Sequence, residues 1–189
     1  MSTQVLTVAN QLTILRMALA PLLVVLVLSR EMQWALVVFV VAGATDLLDG
    51  LIARLGHQKT TLGAMLDPVA DKILMTASFV ALTWTPDLVL RIPVWLTVTT
   101  LSRDAIIIVS VAIINLTHGR RVFYPSLLGK LSTLSQVVTA GVVLLLNALG
   151  ASPEWTIHLF RATLALTVTS ALHYVYLASA HPPAPPETT

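Results

Sequence analysis

The chain has 189 residues, 56% hydrophobic and only 11% charged, with a formal charge of +2 and no cysteine. A soluble domain carries roughly 25% charged residues, so this composition excludes a surface that faces water all round. Disulfides and thiolate metal sites are excluded outright, and a small charge spread along the chain argues against a nucleic-acid partner.

From the amino terminus, Met1 to Asn10 holds no Lys, no Arg and no cleavage pattern, so neither a signal nor a transit peptide is expected. Ser2 to Asn10 reads as a short interfacial helix. Six segments then approach the roughly 20 apolar residues that a spanning helix needs: Leu12–Leu28, Trp34–Arg54, Leu66–Trp84, Ile92–Leu116, Leu127–Leu149 and Trp155–Leu177. Arg30-Glu31, Gly56 to Thr61, Pro86-Asp87, Gly119 to Pro125 and Gly150 to Pro153 punctuate them. The expected fold is therefore all-α: a polytopic membrane protein, one six-transmembrane-helix bundle over residues 1–181, with a Pro-rich unstructured tail at 182–189.

Charge predicts the orientation. Arg54, Lys59, Lys72, Arg120, Arg121 and Lys130 lie at or near the loops after the second and fourth segments, against Arg30, Arg91 and Arg161 on the other side. The positive-inside rule makes both termini and those basic loops cytoplasmic. Trp34, Trp84, Trp95 and Trp155 fall near segment ends as interfacial anchors.

Five of the nine acids, Asp46, Asp49, Asp67, Asp71 and Asp104, sit inside or at the edge of apolar segments. A carboxylate there costs about 2.5–3.5 kcal/mol even on lenient insertion scales, so each implies a partner or a function. Asp46 and Asp49 share one helix face at i, i+3, and Asp67 and Asp71 share another at i, i+4. Two antiparallel helices joined by a short basic loop can aim four carboxylates at one place, where bound cations or protonation relieve their repulsion. All-oxygen ligands suit Mg²⁺ or Mn²⁺ rather than zinc or copper. The plain alternative makes these aspartates helix caps, Asp67 before Pro68 above all, or ion-pair partners of Arg54, Lys59 and Lys72. Gly50, Ala53 and Gly63 leave room for close approach of a ligand or of another helix, and Arg54 supplies a planar cation suited to a pyrophosphate.

Together these residues read Asp46-x2-Asp49-Gly50-x2-Ala53-Arg54-x8-Gly63-x3-Asp67-x3-Asp71. The pattern resembles, without departure, the signature of the CDP-alcohol phosphotransferase family. Asn10-x2-Thr13-x2-Arg16 with Pro21 is similar to the family's amino-terminal pattern, with Ala9 where proline is usual. Asp67-Pro-Val-Ala-Asp71-Lys72, and Gly129-Lys130 with Thr133 and Gln136, resemble the branch acting on glycerol-type acceptors. The resemblance implies six transmembrane helices, a homodimer and a polar cavity open to the cytoplasm. It implies that Asp46, Asp49 and Asp67 bind two Mg²⁺ or Mn²⁺ ions, with Asp71 completing the site and acting as general base. Gly50, Ala53, Arg54 and Gly63, with Asp46, would cradle the CDP moiety of CDP-diacylglycerol. The absence of cysteine and of a transit signal leans towards a bacterial cytoplasmic membrane.

For the acceptor, Arg103, Lys130, Arg120 and Arg121 are candidate anion ligands; Arg103-Asp104 reads equally as a self-neutralising pair, and Arg120 and Arg121 as orientation anchors or headgroup contacts. Glycerol 3-phosphate, giving phosphatidylglycerol phosphate, is the first expectation. Phosphatidylglycerol, giving cardiolipin, is the alternative, because Ser102-Arg103-Asp104 resembles the cardiolipin branch. A divalent-cation transporter is the rival outside enzymes, although its acids should line a route across the bilayer rather than cluster at one end. Arg16 either reaches the cavity or snorkels to the interface. His158 and His173 are expected in interhelical hydrogen bonds, and His57 and His118 in solvent-exposed loops.

Overall fold

A computed structural model describes the backbone of residues 8–55, 61–118 and 127–180, with side chains described over residues 13–45, 70–110 and 127–174. The described residues form six α-helices and no strand: α1 Val8–Leu28, α2 Met32–Leu55, α3 Thr61–Trp84, α4 Val94–His118, α5 Leu127–Ala148 and α6 Thr156–Ala180. Each apolar segment coincides with one helix, and the differences lie at the ends. α1 begins at Val8, so Val8 to Asn10 belong to the first long helix, and the rest of the expected interfacial helix, Ser2 to Thr7, lies outside the described residues. α3 begins at Thr61, which puts Asp67 and Pro68 inside the helix; Asp67 is not an N-cap. α4 begins after Pro93, whose carbonyl accepts the amides of Leu96 (2.9 Å) and Thr97 (3.3 Å), while the Ile92 amide turns back to Leu82 O at 3.2 Å. His118 ends α4 instead of lying in a loop. His57, Lys59, Arg120, Arg121 and the 182–189 tail lie outside the described residues.

Among the described residues, Leu127–Ala148 alone is long and apolar enough to cross a membrane by length and composition. Among the described residues, α1 and α2 carry shorter apolar runs, Thr13–Leu28 and Met32–Thr45. Polar side chains share the interior with apolar ones, and large apolar side chains face outward. Arg16, Arg103, Asp104, Gln136 and a series of Ser and Thr are buried, whereas Leu15, Val25, Val40, Ile106, Ile108, Leu134 and Leu172 are exposed.

The chain divides into two compact units, residues 1–92 with 140–153 and residues 93–139 with 154–189; α5 contributes to both. In the first unit, α1 packs against both α2 and α3. The α1–α2 turn closes as a Schellman cap: the Glu31 amide donates to Leu26 O (2.9 Å) and the Arg30 amide to Val27 O (3.0 Å). Arg30 sits at φ 61° there, a left-handed conformation that favours glycine. The same cap ends α5, with Gly150 at φ 67° in the equivalent position. Asn147 on α5 pins the segment after α3, its Nδ2 donating to Leu90 O (2.7 Å) and its Oδ1 accepting the Leu90 amide (3.2 Å).

In the second unit, α4 packs against α6, and α5 meets α6 along buried polar side chains. The Thr139 and Thr163 hydroxyls lie 2.8 Å apart, the Ser132 hydroxyl donates to Thr167 Oγ1 at 3.3 Å, and Gln136 Nε2 donates to the same Thr167 oxygen at 3.4 Å. Thr156, Phe160, Thr163, Thr167 and Ser170 recur every three or four residues and form the buried stripe of α6.

Candidate functional site

Three buried stripes build the site in the first unit. On α1 the stripe is Thr13, Arg16, Ala20, Leu23 and Val27; on α2 it is Met32, Ala35, Phe39 and Ala42. These spacings alternate three and four residues, the repeat of helices packed nearly parallel or antiparallel. On α3, Ala70, Leu74, Ser78, Phe79, Ala81 and Leu82 are buried. Ala20, Ala42 and Leu74 join in one core cluster, with Leu19 packed against it. Small side chains there let the helix backbones come close.

From that layer the pattern turns polar on all three helices at once. The α2 stripe continues by the same spacing to Asp46, Asp49 and Ala53, and the α3 stripe runs back from Leu74 to Asp71 and Asp67. On α1 the corresponding turns carry Arg16 and Thr13, both fully buried. The backbone thus sets Asp46, Asp49, Gly50, Ala53 and Arg54 on the last turns of α2, and Gly63, Asp67 and Asp71 on the first turns of α3. The α2 members, Gly63 and Asp67 are described in backbone position alone.

Asp71 is the signature residue whose side chain is described. Its Oδ1 accepts a hydrogen bond from Arg16 Nη1 at 2.7 Å, a bridge from α1 to α3. The exposures differ sharply: the Arg16 side chain is 1% exposed and the Asp71 side chain 45%. Arg16 therefore does not snorkel to an interface. It lies behind the carboxylate and turns inward, because burying a guanidinium requires an ionic or hydrogen-bonding partner, and Asp71 supplies one. Of the cations nearer in sequence that were weighed as partners of these acids, Lys59 and the Arg54 side chain lie outside the described residues. The clue to Arg16 is its place in the three-four stripe Thr13, Arg16, Ala20, Leu23, Val27, a cation where the core repeat requires a buried residue.

The acceptor candidates are distributed differently. In the second unit, Arg103 Nη1 donates to Asp104 Oδ1 at 2.8 Å and Nη2 to Ser170 Oγ at 2.9 Å, with both charged side chains below 10% exposed. The self-neutralising pair is the arrangement found, and Ser170 ties it to α6. Arg103 Nε is buried without a hydrogen-bond partner among the described residues. Lys130 is exposed on the first turn of α5. His158 is exposed, and His173 Nδ1 is buried without a partner among the described residues, so the expected interhelical bonds of these histidines are not formed there.

The sequence profile described as CDP-alcohol phosphatidyltransferase matches residues 6–175, nearly the whole chain and every helix carrying the stripes above. The chain belongs to the CDP-alcohol phosphatidyltransferase family. Among its relatives in the family is a protein named cardiolipin synthase (CMP-forming) from Streptomyces coelicolor, 36% identical over 153 residues, covering 78% of this chain and 69% of the relative. The human protein of the same name is 47% identical over 106 residues, 56% of this chain, which spans 34% of that longer relative. A Mycobacterium tuberculosis protein named probable phosphatidylglycerophosphate synthase is 33% identical over 176 residues, 88% of this chain and 79% of the relative.

Proposed function

We propose that this chain is an integral membrane enzyme that transfers the phosphatidyl group of CDP-diacylglycerol to phosphatidylglycerol, releasing CMP and forming cardiolipin. The carrying observation is the Asp71 carboxylate, 45% exposed and held by Arg16, in register with Asp46, Asp49 and Asp67 on helices that share the Ala20–Ala42–Leu74 core. In this reading Asp71 accepts the proton of the acceptor hydroxyl. The acceptor oxygen bonds to the phosphorus bearing the diacylglycerol, the bond from that phosphorus to the CMP oxygen breaks, and CMP leaves with the electron pair. Arg54 stabilises the phosphoryl oxygens, and Gly50, Ala53 and Gly63 leave room for the nucleotide.

The donor set fits a hard divalent cation. Asp46, Asp49, Asp67 and Asp71 offer only carboxylate oxygen, which suits Mg²⁺ or Mn²⁺. Such ions, when bound, neutralise pyrophosphate charge and make CMP a better leaving group.

Phosphatidylglycerol is favoured as acceptor for two reasons. Proteins named cardiolipin synthase recur among the relatives from bacteria to mammals. In addition, Arg103, one of the four cations offered for an acceptor phosphate, is neutralised by Asp104. Glycerol 3-phosphate is the second reading, supported by the mycobacterial relative.

The membrane reading draws on the buried polar stripes and exposed apolar faces, the arrangement a bilayer favours. Within the first unit, alternating spans would put exposed Trp34 and Trp84 at one interface and the aspartates of α2 and α3 at the opposite, cytoplasmic one. Purified protein in phospholipid nanodiscs, given labelled CDP-diacylglycerol with phosphatidylglycerol or glycerol 3-phosphate separately, tests the activity. Labelled cardiolipin and CMP with the first acceptor are expected. Product with glycerol 3-phosphate alone reverses the acceptor assignment; cation flux in liposomes without CMP release replaces the enzyme with a transporter.

A further inference from the structure

We propose that Arg16 is a positioning residue for the reaction, holding the Asp71 carboxylate in the orientation from which it takes the acceptor's proton. The inference rests on the reading of Asp71 as the base and goes beyond it. Arg16 stands on α1, outside the aspartate signature and 55 residues from Asp71 in sequence. Its position in the unit is set independently of the acids: Thr13, Ala20, Leu23 and Val27 occupy the rest of the same fully buried stripe. A guanidinium anchored in that stripe is fixed by packing along its stem as well as by its charge.

The exposures define the direction of its action. With the Arg16 side chain 1% exposed and the Asp71 side chain 45% exposed, the cation lies behind the carboxylate and offers no surface to a substrate. Its effect on the reaction therefore runs through Asp71. The Nη1 to Oδ1 contact of 2.7 Å is a charge-assisted bond that restrains rotation of the carboxylate. A lysine ammonium, a point charge on a flexible stem, retains the charge without the planar fork. A displacement of about 1 Å in a reacting group can cost about 100-fold in rate, so loss of this restraint belongs in turnover rather than in binding of the CDP-lipid.

The test uses the full chain in nanodiscs and compares Arg16→Gln, Arg16→Lys, Asp71→Asn and the Arg16→Gln/Asp71→Asn double variant. Monodisperse elution and thermal unfolding establish folding. Arg16→Gln is expected to lower kcat about 100-fold with KM for CDP-diacylglycerol unchanged. Arg16→Lys should fall between it and wild type, and the double variant should be no slower than Asp71→Asn. Wild-type kcat in Arg16→Gln, a raised KM with kcat retained, or a double variant slower than Asp71→Asn overturns the inference. Should Arg16→Gln fail to fold, Arg16→Lys decides: a folded protein with reduced kcat and unchanged KM supports positioning, and wild-type kcat overturns it. Turnover retained by Asp71→Asn would remove the base and this inference together. An inactive Asp71→Asn beside fully active Arg16 variants would remove the inference alone.

Discussion

Replacing Arg103 by methionine should leave the Asp104 carboxylate, 9% exposed, without the guanidinium at 2.8 Å. Breaking a buried pair from one side costs about 3–5 kcal/mol, because the remaining charge stays desolvated and loses an opposite charge held at hydrogen-bond distance. At about 2–4 °C per kcal/mol for a chain of this size, the unfolding midpoint should fall by roughly 6–20 °C. Asp104→Asn should cost a similar amount by stranding the arginine. Removing both charges in Arg103→Met/Asp104→Leu takes away the desolvation cost along with the pairing, and the Ser170 hydroxyl loses the bond it accepts from Arg103, a loss of about 1–3 kcal/mol. The double variant should therefore be more stable than either single one, a coupling of opposite sign to simple addition. The chain has four tryptophans and no cysteine, so intrinsic fluorescence during heating in detergent is the suitable probe. A double variant as damaged as the sum of the singles would refute the reasoning. If the pair is structural, the double variant also keeps its KM for the acceptor lipid, whereas an anion-anchoring Arg103 would raise it.

Asn147→Ala should strand the buried Leu90 amide and carbonyl, which Asn147 meets at 3.2 and 2.7 Å, and cost about 1–3 kcal/mol in thermal unfolding. Arg30→Gly sets two effects against each other. It loses the Arg30–Asp87 bridge, which at 57% and 70% exposure contributes about 0–1 kcal/mol, and relieves a left-handed conformation costing an L-residue about 1–2 kcal/mol. The variant should be as stable as wild type or slightly more so, and a drop of several degrees would show that the bridge dominates. Asp49→Asn should raise the Mg²⁺ concentration for half-maximal turnover at least about tenfold, read by metal titration of CMP release. An unchanged metal dependence would remove Asp49 from the ligand set.

The helices were legible in the sequence because apolar runs and their punctuation are local signals. Their ends were less so: Pro93 starts α4, but the hydrogen bond from the Ile92 amide to Leu82 O that keeps Ile92 outside the helix joins residues well apart in the chain. The acidic signature was legible too, since i, i+3 and i, i+4 spacings in an apolar context have few explanations. Asp67 misled in one respect: a following proline resembles a helix start, and α3 begins at Thr61.

Sequence alone determined that the chain is helical and that four aspartates occupy two adjoining helices. Those properties follow from periodicity within single segments. That Arg16 meets Asp71 was decided by tertiary packing: α1 packs on both α2 and α3 and brings a cation 55 residues away in the chain to within 2.7 Å. The fate of Arg103 was decided in the same way, because α6 approaches α4 closely enough for Ser170 to take its second nitrogen. Burying a guanidinium demands a partner, and the partner is chosen by whichever helix the fold lays alongside.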